Sequence, residues 1–175
     1  EFYNRYYSAN LMTLVVLGRE SLPVLEQLVV DKFAEVKNHH ALPFEDNQPL
    51  FKPGQLPQQL FIKPVKDIRK LTLTFPIPEF RSKWQKKPLY YISSMVGYEG
   101  QGSLLSYLKS QGWATSLSAS AGHNLKTQGT FMVVISLTEA GLENYHAVTQ
   151  SFFQYVRLMR EEGLQASLYN EEKQL

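Results

Sequence analysis

The sequence predicts an α+β fold, with helices packed on one face of an antiparallel-rich sheet. Three observations carry that prediction. Thr130 to Leu137 sets Phe131, Val133, Ile135 and Leu137 on one side and Met132 and Val134 on the other, the two-residue period of a pleated strand. Lys70 to Phe75 alternates Leu71, Leu73 and Phe75 against Lys70, Thr72 and Thr74. The helical patterns fall in groups between the strands instead of alternating strictly with them, which implies an α+β layer.

The first element is the continuous apolar run Leu11 to Leu17, closed by Gly18, which reads as a buried strand. A helix follows. Ser21 suits its N-cap, Pro23 fits a first turn whose amides lack intrahelical partners, and Leu22, Leu25, Leu28, Val29, Phe33 and Val36 make one apolar stripe. One strand and one helix bury too little to stand alone, so residues 1–40 read as the end of an incomplete lobe whose partners precede residue 1. Asn38 to Gln59 holds four Pro and one Gly among polar residues, a semi-rigid surface linker placed at 41–58. Residues 59–175 form a second lobe.

That lobe opens with strands at Leu60 to Lys63 and at Lys70 to Phe75, the second stopped by Pro76 and Pro78. Pro88 suits the first turn of a helix carrying Leu89, Tyr90, Ile92, Met95 and Val96 and ending near Gly97 to Gly102. Ser103 to Gln111 is a second short helix with Leu104, Leu105 and Leu108 buried and Gly112 at its C-terminal cap. Trp113 to Ala121 alternates weakly and uses small side chains, and Gly122 to Gly129 reads as a hairpin loop before the strand from Thr130. Thr138 caps a long helix with the stripe Leu142, Tyr145, Val148, Phe152, Val156 and Met159, closed by Gly163. Leu164 to Leu175 begins another helix.

Composition narrows the function. The chain has 175 residues, 43% of them apolar and 19% charged, and a net charge of +2, which fits a globular chain and implies no obligate polyanion partner. Nucleic acid is not expected as a partner. The absence of Cys removes disulfides, thiolate metal sites and cysteine nucleophiles. No apolar run reaches the roughly 18 residues that span a bilayer, so no membrane partner is expected. The start Glu1-Phe2-Tyr3 is neither an initiator Met nor a signal peptide, so the chain reads as an excised fragment. The compartment is left open, periplasmic or cytoplasmic for a bacterial source.

Chemical motifs are sparse. His39, His40, His123 and His146 form no H-x-x-E-H, H-E-x-x-H or H-x-x-x-H spacing, so no zinc site is expected. The glycines from Gly97 to Gly102 lack the Lys-Ser/Thr of a phosphate loop, and no G-x-S-x-G elbow occurs. No catalytic residue is assigned. Lys63 to Lys87 carries eight basic residues against Asp67 and Glu79, leaving the remainder of the chain net negative. Phe75, Phe80 and Trp84 interleave with that run, which reads either as a solvated loop around a strand end or as a stacking platform. Thr115 to Ala121 lacks the Lys or Pro that usually blunts an exposed sheet edge. It is either an interior strand or an edge able to add an extended peptide through main-chain hydrogen bonds.

Four segments then become specific. YYSANLMTLVVLGRES (6–21), KDIRKLTLTFPIPE (66–79), GYEGQGSLLSYLKSQGW (97–113) and SLTEAGL (136–142) resemble, in order and spacing, the insulinase/pitrilysin family of zinc metallopeptidases. The likeness spans essentially the whole chain and implies a lobe of the mitochondrial processing peptidase type. In that family H-x-x-E-H and a downstream Glu lie in the first of four homologous lobes, ahead of the stretch resembling residues 6–37. The resemblance therefore implies a non-catalytic second lobe preceded by the end of the catalytic one, with zinc in the parent and none here.

For the second lobe the resemblance implies a wall of the peptidase chamber and an anchoring site for the substrate's N-terminus at Gly97, Glu99, Leu117, Ala119 and Ala121. Glu99 would accept a charge-assisted hydrogen bond from a terminal ammonium. The sequence departs from the family at Tyr90 and Ser94, where histidines are usual, and at Ala119 and Ala121, where Gly and Gln are usual. The expected partners are peptide or small-protein substrates, the catalytic lobe and the C-terminal half of the parent. The alternative is an assembly lobe of a member without protease activity.

Overall fold

The computed structural model describes residues 1–45 and 48–163 together with 166, 169, 170 and 173. It divides into two compact units, Glu1–Gln48 and Pro49–Leu175.

The first unit holds helix α1 (Phe2–Tyr6), a 3-10 turn at Ala9–Leu11 and helix α2 (Leu22–Phe33). Ser8, fully buried, ties its two ends: the His39 N–H donates to Ser8 Oγ at 2.8 Å, and the Ala9 N–H donates to the Lys37 carbonyl at 3.0 Å. Ser21 occupies the N-cap of α2 without a side-chain cap bond, and Pro23 lies in the first turn. The run Leu11 to Leu17 forms no ladder, because no second strand in this unit is available among the described residues. Val15 and Leu17 are 85% and 99% exposed. Leu14 and Val16 face Leu22, Leu25 and Val29 across a shallow apolar cavity of about 300 Å³.

The second unit is built on three antiparallel strands in the order β1-β3-β2. β1 (Lys70–Pro78) half-buries Leu71, Leu73, Phe75 and Ile77 and exposes the residues between them. Pro76 and Pro78 both belong to it, and it stops only at Pro78, later than expected. They pair in register with Thr130 and Gln128, which an edge strand permits because its outer side owes no amide to a neighbour. The strand expected at Leu60 to Lys63 does not form; that segment is exposed and lies outside the sheet.

Helices α3 (Pro88–Gly97) and α4 (Leu104–Ser110) connect β1 to β2. Pro88 stands in the first turn of α3, and the Ser103 hydroxyl caps α4 by accepting the Ser106 N–H at 3.0 Å. Leu104, Leu105 and Leu108 are all buried, while Tyr90 and Ile92, expected on the buried side of α3, are 57% and 40% exposed. Gly112 ends the α4 region at φ +71, a left-handed turn that favours glycine.

β2 (Ala114–Asn124) and β3 (Gln128–Leu137) extend into the expected hairpin loop and shorten it to Leu125–Thr127. A bulge near Asn124 makes this possible. Gly122 is needed there, since a Cβ would fall 2.5 Å from Thr130 Oγ1. β3 behaves as its alternation predicts, burying Phe131, Val133, Ile135 and Leu137.

The long helix expected after Thr138 is instead α5 (Glu139–Glu143) and α6 (Tyr145–Glu162), broken at Asn144. Asn144 Nδ2 donates to the Ala140 carbonyl at 2.8 Å and so terminates α5, while its own carbonyl accepts the Val148 N–H at 3.0 Å and starts α6. Leu142 is consequently turned out and 49% exposed, whereas Val148 and Phe152 enter the core. Gly163 closes α6 at φ +68. The further helix expected over Leu164 to Leu175 falls mostly on residues outside those described. Among the described residues no helix is long and apolar enough to cross a membrane.

The core is one cluster in which Leu104, Leu105 and Leu108 of α4 meet Val133 and Ile135 of β3 and Val148 and Phe152 of α6. The architecture is thus the predicted α+β class, with an antiparallel sheet carrying its helices against the buried face.

Candidate functional site at the β2 edge

Among the described residues β2 pairs with β3 alone, so its other side is an open edge. Its course is set by a bulge near Thr115: Ala114 opposes Leu137 and Ser116 opposes Ser136, leaving Thr115 as the extra residue. In an unbroken strand Ala114 and Leu117 would face opposite sides. The inserted residue brings both inward, each 5% exposed. Ser116, Ser118 and Ser120 then line the outer face as a row of exposed hydroxyls.

Helix α3 ends over this strand. A Cβ placed on Gly97 would lie 3.9 Å from the Ala119 backbone nitrogen, so the helix terminus rests in contact distance of the strand's main chain. Glu99 follows two residues later, exposed and without an ion-pair partner among the described residues.

The five residues singled out from the sequence therefore divide. Gly97 and Ala119 are adjacent, Glu99 presents a free carboxylate beyond the helix end, and Ala121 is exposed toward the hairpin, opposite Phe131. Leu117 buries its side chain opposite Ile135 and has only its backbone to offer a ligand. Sequence reading passed over Thr115, although apolar residues three apart in a segment of period two are the sign of a bulge.

Among the described residues, no three His, Asp or Glu side chains gather in one place.

Among the described residues, the fold and the site define an α+β module whose outer strand β2 is open on one side and runs beneath a helix terminus. The chain matches the family described as the peptidase M16 inactive domain over residues 1–175, and it belongs to that family. It is 38% identical over 172 residues to the A-factor-processing enzyme of Saccharomyces cerevisiae, covering 98% of this chain and 17% of that protein. It is 41% identical over 176 residues to the insulin-degrading enzyme of Bos taurus, covering 100% of this chain and 17% of that protein. The crystal structure of pitrilysin superposes with a TM-score of 0.83 at 28% identity, over 97% of this chain and 18% of that one. The chain thus spans under a fifth of the length of these relatives.

Proposed function

We propose that this chain is the non-catalytic lobe of a zinc metalloendopeptidase, where it walls the peptide chamber and anchors substrates by pairing their backbone with β2. The observation that carries this reading is the open side of β2, free of Lys and Pro from Ala114 to Asn124. An edge of that kind accepts a guest strand through main-chain hydrogen bonds. Glu99, near the Gly97 terminus, supplies a carboxylate for the guest's terminal ammonium. The zinc and the bond-breaking residues of the parent lie outside this chain, which alone hydrolyses nothing. The exposed apolar run at Val15 and Leu17 supports the reading of residues 1–40 as the end of the catalytic lobe.

The test is titration of an extended neutral peptide into isotopically labelled chain. Amide resonances from Thr115 to Ala121 should move, and acetylating the peptide's N-terminus or substituting Glu99→Gln should weaken binding. Successive residues of a strand direct their amides to opposite edges, so one of Ser118→Pro and Ala119→Pro should keep the fold and lose the peptide. Binding that leaves those resonances unmoved would leave only the walling role.

A further inference from the structure

We infer that the loop joining β1 to α3, from Arg81 to Lys87, is a docking surface for acidic stretches of polypeptide. The inference rests on the peptide-binding reading above and names the substrate class that reading would favour. The basic run seen in the sequence is not uniform in the structure. Arg69 is held between Asp67 at 3.0 Å and Glu139 at 2.8 Å. By contrast Lys83, Lys86 and Lys87 form no ion pair among the described residues. The acid of this stretch, Glu79, is directed onto Ser82, accepting its N–H at 2.7 Å and its hydroxyl at 2.9 Å.

The cations are carried on ordered backbone. A 3-10 turn spans Arg81–Lys83, and the Lys83 carbonyl accepts the N–H groups of both Lys86 and Lys87 at 2.9 Å. Trp84 stands among them, 68% exposed. The sheet register locates the loop: Pro78 opposes Gln128, so the chain leaves β1 beside the β2–β3 turn, which bears Lys126. Ala121, opposite Phe131 and through it Phe75, is near the same end of the sheet. A peptide laid along β2 toward the hairpin is therefore carried to the cationic end.

The arrangement selects among anions. The cations are spread along a turn, and Arg81, Lys83, Lys86 and Lys87 are all exposed, a row open to solvent that suits an extended ligand better than a compact ion such as phosphate. An extended chain of carboxylates meets them one after another, with the Trp84 ring against its aliphatic stems. Single-strand nucleic-acid readers stack successive bases on several aromatics, and here Trp84 is the exposed ring of the loop while Phe80 is half-buried. A bilayer would find a single exposed indole in the loop from Arg81 to Lys87, flanked in sequence by Lys83 and Gln85.

The test compares a neutral extended peptide with the same peptide carrying a run of glutamates, on the full chain and on a Lys83→Glu/Lys86→Glu variant. At low salt the acidic peptide should bind about tenfold more tightly, as a few exposed ion pairs allow. The advantage should vanish in about 0.5 M salt, where screening acts over a few ångströms, and in the variant, while neutral-peptide affinity is unchanged. Trp84 fluorescence should respond to the acidic peptide alone. Equal affinities, or an advantage that survives the charge reversal, would overturn the inference and leave the β2 reading standing. Salt-sensitive binding of the acidic peptide with none of the neutral one would remove the β2 reading and keep the loop. Tighter binding of a single-stranded oligonucleotide or of anionic vesicles than of the acidic peptide would overturn the assignment to polypeptide.

Discussion

Gly141 and Trp113 meet backbone to backbone. A Cβ on Gly141 would stand 1.8 Å from the Trp113 carbonyl oxygen and 3.1 Å from its Cα. The same carbonyl accepts the Thr138 N–H at 3.0 Å, so the start of α5 is pressed onto the residue preceding β2. Gly141→Ala should cost about 3 kcal/mol or prevent folding, because the clash is with main chain that cannot rotate away. Urea unfolding would read the loss, and an unchanged midpoint would contradict the close approach.

Thr138 secures that junction twice. Its hydroxyl accepts the Gly141 N–H at 2.9 Å and donates to the Gly112 carbonyl at 2.6 Å. Thr138→Val keeps the shape and removes both bonds, and should lower stability by about 1–2 kcal/mol, the scale of a lost N-cap. Hydrogen exchange should quicken first at Gly141 and Leu142.

Tyr155 links α6 to α3 by donating its hydroxyl to the Met95 carbonyl at 3.2 Å, and burial raises its pKa above the ordinary 10.0. With the folded value raised, the contribution to stability is complete below 10.0 and is lost as pH rises through the folded value. Alkaline denaturation of the native chain should therefore include a fall beginning above that pH. Tyr155→Phe should remove this component and cost about 1 kcal/mol at neutral pH; an alkaline limb of the same slope in both proteins would count against the coupling.

Glu79 behaves in the opposite sense. The Ser82 N–H and hydroxyl hold its carboxyl below the ordinary 4.5, with Arg81 assisting. A lowered folded value means the contribution is present above 4.5 and is lost as pH falls through the folded value. The Ser82 amide resonance should report that titration, and Glu79→Gln should abolish it while leaving the core resonances in place.

Much of the second unit was legible because its signals are local. Alternation in β1 and β3 names their buried faces residue by residue, and Ser103, Thr138, Gly112 and Gly163 mark helix boundaries by chemistry that needs no tertiary partner. Prolines misled where topology decides: Pro76 and Pro78 are admitted by an edge position that no local pattern declares. Asn144 misled differently, since a helical apolar stripe passes through it and only its side-chain bond to Ala140 reveals the break. Leu11 to Leu17 carries the pattern of a strand without a neighbour to pair with among the described residues. At the β2 edge, composition suggested accessibility, but the inward turn of Leu117 depends on the extra residue at Thr115, which alternation hides.

The two rims of the sheet are unequal. Pro76 and Pro78 interrupt the outer amides of β1, whereas β2 presents eleven residues without an imino acid or a lysine. Concentrated solutions should therefore dimerise through one rim, two copies meeting β2 to β2 about a twofold axis to give a continuous six-stranded sheet. A saturating peptide should dissolve that dimer, so molecular mass and ligand occupancy would vary together.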